Sequence, residues 1–141
     1  KAIGVSNFKT HHLEALIADS KIKPMVDQIE FHPGFMQTET VTFCRENGIA
    51  VEAWSPLGTG KMLQNETLKA IAEKYGVSVA QLCIRWCLQN DMIPLPKSVT
   101  PNRIQQNIDV FGFEIGAEDM TVINAMEYCG GSGLDPDEID F

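Results

Sequence analysis

Four times along this chain a short, continuous apolar run ends in small or polar residues and gives way to a helical pattern. The first run, residues 2–5, ends at Ser6-Asn7, and the stretch after it carries Leu13, Leu16 and Ile17 on one helical face. The second, residues 26–31, ends at His32-Pro33-Gly34. Its helix, "TETVTFCREN", is stopped by Gly48, a residue that readily takes the left-handed conformation that closes a helix. The third run is "IAVEAW", residues 49–54, followed by the loop "SPLGTGK" and by helical stretches at 66–75 and 79–89, split by Gly76. The fourth, residues 92–95, leads to a helix whose start is marked by Thr100-Pro101, an N-cap with proline at the first helical position. A last amphipathic stretch, 117–126, precedes a polar tail rich in glycine and aspartate.

Runs that are apolar throughout, rather than alternating, suit strands covered on both faces, which is the condition of a parallel sheet. Repeated strand–helix alternation predicts an α/β fold with parallel strands. No linker, repeat or low-complexity segment interrupts it, which predicts one domain over residues 1–141. In such folds ligands bind at the C-terminal ends of the strands. Here those ends offer Ser6-Asn7, Gln28, Trp54-Ser55 and Lys97-Ser98, a concentration of hydrogen-bonding groups with one large aromatic. That is the composition of a site.

The net charge of −8 argues against a broad electrostatic grip on nucleic acid or an anionic membrane, so any bound anion needs a local arrangement. Composition is otherwise that of a soluble globular protein, 44% apolar and 21% charged. No apolar run approaches the ~20 residues that span a bilayer, and no secretory signal is visible, which points to the cytoplasm. Cys44, Cys83, Cys87 and Cys129 form no C-x-x-C pair and read as buried, reduced thiols. Neither they nor the adjacent His11 and His12 show the spacing of a metal site. Lys1, not Met, opens directly on an apolar run, which predicts that the natural chain continues upstream.

One segment gathers cations in this acidic chain: "IPLPKSVTPNRIQQN", residues 93–107. Lys97 supplies a point charge and Arg103 a planar fork, both suited to phosphate oxygens. Ser98 can donate its hydroxyl, Val99 its backbone N–H, and the helix that starts at Thr100 favours an anion near its free N–H groups. Arg103, Gln106 and Asn107 stand at i, i+3 and i+4, on one helical face. A solvated cationic helix start would use the same residues. The company of the other strand ends favours a site.

Together, "GVSNF" at 4–8, "DQIEFHP" at 27–33, "AWSPLG" at 53–58 and the segment 93–107 resemble the aldo-keto reductases in order and spacing, over nearly the whole chain. That family is a (β/α)8 barrel that transfers hydride from NADPH to a small-molecule aldehyde or ketone. A complete barrel needs about 250 residues, so the resemblance implies strands five to eight, the C-terminal half of the barrel. The family's catalytic Asp, Tyr, Lys and His belong to the first four units and have no counterpart here. Tyr75 and Tyr128 lie in or after helical patterns, so no catalytic residue is assigned in this chain.

The resemblance also implies roles for the residues present. Lys97 and Arg103, with Ser98 and Val99, would hold the adenosine 2′-phosphate of NADPH, while Gln106 and Asn107 border the adenine. Glutamate is common in the family where this chain has Gln106. Ser6, Asn7 and Gln28 would hydrogen-bond the nicotinamide carboxamide, whose donors and acceptors lie in one plane. Ser-Asn is equally a common strand exit. Trp54, where tyrosine is frequent, would stack on the nicotinamide. The segment Ser55-Pro56-Leu57-Gly58 would cross the pyrophosphate, with Gly58 and Gly60 allowing close backbone approach. His32 reads as structural or pocket-lining, Trp86 as core, and the tail falls where the family has its variable substrate loop.

Two other readings compete. The same barrel could serve as a non-catalytic nicotinamide-nucleotide sensor or regulatory subunit. An unrelated half-barrel could bind phosphorylated metabolites, but it would have no use for the amide side chains Asn7 and Gln28. A half-barrel also leaves its first and last strands as unpaired edges, which predicts self-association.

Overall fold

The computed structural model describes residues 1–139. Strand β1 (Gly4–Ser6) leads to α1 (Thr10–Asp19), β2 (Val26–Glu30) to α2 (Thr38–Glu46), and β3 (Ala50–Trp54) to a 3-10 helix (Gly58–Gln64) with α3 (Glu66–Tyr75) and α4 (Val79–Gln89). Strand β4 (Ile93–Leu95) precedes α5 (Pro101–Ile108) and α6 (Ala117–Asn124). All strands are parallel, and their order in the sheet, β1-β2-β3-β4, is their order in the chain. A doubly wound sheet reverses strand order at a switch point; a (β/α) barrel does not. The uninterrupted order is that of four consecutive barrel units.

Local chemistry sets the helix ends. Asn65 caps α3 by accepting from the Leu68 N–H at 3.0 Å, and Gly76 closes it in the left-handed conformation, φ 65°. Ser78 and Gln81 form a reciprocal capping box at the start of α4. Inside, Leu13, Ile29, Phe31, Met62, Leu68, Leu82, Ile115 and Ile123 are fully buried around Trp86. Trp86 stacks on Phe31 with ring centres 4.9 Å apart, and its Nε1 donates to Asn124 Oδ1 at 2.7 Å. It is core, as its place in an apolar helix predicts. Truncating such a residue costs about 3–5 kcal/mol.

The strands are shorter than the apolar runs. Residues 2 and 3 lie outside β1, where a single bond from Met25 N to Ile3 O stands in for a ladder. Met92 falls outside β4, because its N–H goes to Cys87 O at the end of α4. The loop after β3 coils into the 3-10 helix, kinked at Thr59 and Gly60, which both have positive φ. Cys44, Cys83 and Cys87 are buried free thiols, but Cys129 is exposed, because it follows α6 on the tail rather than lying on a helix face. Burial pushes the Cys83 thiol up to about 12.

Both sheet edges carry apolar surface. Ile3, Ile22 and Met25 are exposed beside β1, and Ile93, Leu95, Ile104, Ile108 and Phe111 beside β4. The tail, whose composition alone would equally suit a loose terminus, is tied back onto the strand ends.

Candidate functional site

The C-terminal ends of β1, β2 and β3 are joined by hydrogen bonds. After β1 the chain turns at Asn7 in the left-handed region, φ 57°, which asparagine tolerates better than most residues. The turn lets the Asn7 N–H reach Gln28 O at 2.9 Å, while Ser6 Oγ donates to the same carbonyl at 3.0 Å. Trp54 Nε1 donates to Asn7 Oδ1 at 2.6 Å. Gln28 Nε2 donates to Glu52 Oε2 at 2.8 Å. These bonds use the acceptor of one amide and the donor of the other. Among the described residues, the Asn7 Nδ2 donors and the Gln28 Oε1 acceptor are left without partners. A planar carboxamide needs one group of each kind.

Ser55, just past Trp54, has φ 49°, a conformation costly for a non-glycine residue and often stored at functional sites. Leu57 is half-buried against the core. Gly58 has φ 52°, and a Cβ there would meet Met62 Cε at 2.9 Å and Gly130 O at 3.2 Å. Its missing side chain therefore admits the protein's own tail, and Gly60, at φ 91°, faces open space.

Beside Asn7 and Trp54 lies a cleft of about 370 Å³, also lined by Lys9, Glu30, Phe35, Gln37 and the tail residues Leu134 and Asp135. Lys9, Glu30 and Gln37 were not legible as site residues, whereas the tail was placed here only by the family resemblance. A carboxylate inside an apolar strand run was the available signal for Glu30, which is only 4% exposed. Its Oε1 accepts from Ser132 N at 2.8 Å and its Oε2 from Ser132 Oγ at 2.5 Å. His32 is fully buried; its Nδ1 donates to Pro33 O at 2.9 Å, and its Nε2 faces Glu30 Oε1 at 3.5 Å. Among the described residues its Nε2 makes no hydrogen bond. Behind Asn7, burial raises the Asp27 carboxyl to about 6, against a weak opposing contact from the Phe8 N–H at 3.5 Å.

The cationic end is built differently. Lys97, Ser98 and Asn107 border an apolar groove of about 640 Å³ between β4, α4 and α5. Arg103 and Gln106 stand on α5 in solvent, and Val99 is 79% exposed. Thr100 does not cap α5 with its side chain; its own N–H goes to Ser98 Oγ at 3.2 Å. Among the described residues neither Lys97 nor Arg103 has a carboxylate partner, although acids outnumber bases in this chain. Lys97, Arg103 and the helix start that no side chain caps are all exposed.

His11, His12 and Asp137 bring one ligand atom each within 4.8 Å of the others. The chemistry does not fit a metal. His12 Nδ1 accepts from the Lys9 N–H at 3.1 Å, so in the neutral ring the proton sits on Nε2, the atom turned to Asp137. Among the described residues no helix is long and apolar enough to cross a membrane.

Residues 1–127 match the family described as Aldo/keto reductase family. Glyoxal reductase of Bacillus subtilis is 50% identical over 141 residues, all of this chain and 51% of that protein. Aldose reductase B of Dictyostelium discoideum is 44% identical over 128 residues, 89% of this chain and 41% of that protein. Among solved structures, an aldo-keto reductase from a Medee basin deep-sea metagenome library superposes with TM-score 0.94 at 40% identity, covering 100% of this chain and 53% of the other. A variant of Gox0644 in complex with NADPH superposes at 0.93 with 45% identity, covering 99% and 52%. The chain spans about half the length of the curated relatives it matches. Four barrel units in unbroken order, a family match over residues 1–127 and a relative half identical along the whole length lead to one conclusion: the chain belongs to the aldo/keto reductase family.

Proposed function

We propose that this chain is the cofactor-binding half of an NADPH-dependent reductase that converts aldehydes or ketones to alcohols. The observation that carries the reading is the pairing of two unmatched sites. One spare amide donor and one spare acceptor lie beside the half-buried indole of Trp54; two unpaired cations lie at the uncapped start of α5. The first suits a nicotinamide carboxamide and ring, the second the 2′-phosphate that separates NADPH from NADH. NADPH supplies the hydride when bound. Asn7 and Gln28 would hold its carboxamide, and Trp54 would lie against the nicotinamide ring. In this reading Ser55 to Gly58 would cross the pyrophosphate, Lys97, Ser98, Val99 and Arg103 would take the 2′-phosphate, and Gln106 and Asn107 would border the adenine.

The proton donor belongs to the other four units of the family's barrel. General acid catalysis is worth about 10²–10⁴-fold, and those units of the family's barrel also carry most of the substrate pocket. The chain alone should therefore show no turnover, and its two apolar edges should drive self-association. The test is loss of NADPH absorbance with an aromatic aldehyde, run on the chain alone and on the full-length protein, with sedimentation of the same samples. Turnover by the full-length protein only, with the chain sedimenting as dimers or larger, is the expected result. A full-length protein that binds no nicotinamide nucleotide would overturn the reading. Binding without turnover would favour a nucleotide sensor on the same barrel, which the lack of a proton donor at the described strand ends keeps in view. The four free thiols suit a reducing, cytoplasmic setting.

A further inference from the structure

Along β3, Val51 and Ala53 belong to the core, and Glu52 between them stands on the opposite face of the strand, half-buried. It is the register partner of Gln28 on β2, and Gln28 Nε2 donates to its Oε2 at 2.8 Å. Among the described residues Glu52 makes no other hydrogen bond and has no cationic partner. Glu30, further along β2, differs: both its oxygens are engaged by Ser132. A half-buried carboxylate without a cation loses solvation and gains one hydrogen bond, so packing alone does not account for Glu52.

An amide side chain donates at one end and accepts at the other, and the two ends have nearly the same shape. Which end is left for a ligand depends on the neighbour that takes the other. An ionised carboxylate only accepts and an indole N–H only donates, so neither can exchange roles. Glu52 takes the NH2 end of Gln28 and leaves its oxygen. Trp54 takes the oxygen of Asn7 and leaves its NH2 end. The two amides therefore present opposite polarities. A ligand carboxamide meets an acceptor for its NH2 at Gln28. A ligand carboxylate of the same outline would set oxygen against oxygen there.

We propose that Glu52 is a positioning residue that locks the Gln28 amide by its NH2 end, and so selects a nicotinamide carboxamide against the corresponding carboxylate. The proposal rests on the dinucleotide reading and adds to it a residue that acts only through Gln28. The isosteric variant Glu52→Gln can donate or accept, and so lets the Gln28 amide turn over. Glu52→Lys can only donate, and so reverses it.

The test measures three affinities in the full-length protein: for NADPH, for its analogue with a carboxylate in place of the carboxamide, and for 2′-phospho-ADP-ribose, which lacks the nicotinamide. In the parent the carboxylate analogue should bind about 100-fold more weakly than NADPH, because it leaves the Gln28 acceptor unanswered and facing a charge. Glu52→Gln should weaken NADPH about threefold, since only a fraction of Gln28 then has the right orientation. The same variant should tighten the analogue, and Glu52→Lys should make the analogue the preferred ligand. Binding of 2′-phospho-ADP-ribose should be the same in all three proteins. Equal weakening of every ligand would make Glu52 a structural residue and overturn the proposal. An unchanged ratio in Glu52→Gln would overturn it too. So would a tighter analogue with NADPH unaffected, because Glu52 would then act as a repelling charge and not through Gln28. A parent that binds NADPH no better than 2′-phospho-ADP-ribose would instead overturn the dinucleotide reading at the carboxamide end, and the proposal with it.

Discussion

At the ends of β1, β2 and β3 the polar side chains answer one another: Trp54 to Asn7, Gln28 to Glu52, Ser6 to the Gln28 carbonyl. At the end of β4 the cations stand apart, Lys97 and Arg103 facing water beside a helix start that no side chain caps. The first region is organised before any ligand arrives, and what it offers is the remainder of its own network. The second offers charge, and charge needs little prior order because an anion draws it together. A mutation in the first region should therefore disturb the fold and any bound dinucleotide alike. In the second it should disturb only the ligand that carries the extra phosphate.

Asn7→Ala is the sharpest way to break the ordered side. It strands the Trp54 Nε1 donor and places a residue less suited to φ 57° at the turn. We expect a stability loss of about 1–3 kcal/mol in denaturant unfolding, the cost of an unanswered donor. Lys97→Ala, on the open side, should leave stability unchanged within about 0.5 kcal/mol.

Asp27 is the flaw in the ordered region, a carboxyl with a buried, unpartnered oxygen behind the Asn7 turn. Burial raises it from 3.8 to about 6, so the folded state holds its proton more tightly than the unfolded state does. Its penalty is absent below 3.8, grows as pH rises through 6, and stays in full above. Asp27→Asn should stabilise the protein at neutral pH by about 1–2 kcal/mol, allowing for partial screening. The gain should vanish in acid. Thermal melts of both proteins across this range check the sign: a gain that persists at low pH would place the flaw elsewhere.

The same contrast explains what could be read from the chain before its structure. Parallel strands, helix stops at Gly48 and Gly76, and the core role of Trp86 follow from local pattern, because burial on both faces and the left-handed glycine each leave a mark in a few residues. The cation end was legible for a similar reason: Lys97 and Arg103 lie within one turn and one helix start. The cleft was half legible. Asn7, Gln28 and Trp54 sit at strand ends, where pattern directs attention, and the family resemblance supplied a role for each. Lys9, Glu30 and Gln37 did not stand out, since their partners lie far along the chain: Glu30 meets Ser132, and Lys9 meets Asp135 and Asp137. Nothing local in "GGSGLDPDEIDF" names Glu30 and Lys9 as its partners.

The account stands most directly on a titration of the full-length protein with NADPH and NADH, for the parent, Asn7→Ala and Arg103→Ala. Arg103→Ala should weaken NADPH by about 1.5–3 kcal/mol, the range for a lost charge-assisted hydrogen bond, and leave NADH nearly unchanged. Asn7→Ala should weaken both cofactors by the same factor, since both carry the same carboxamide. Equal losses of NADPH and NADH in Arg103→Ala would contradict the assignment of the open cations to the 2′-phosphate, and with it the division of the site into an ordered end and a charged one.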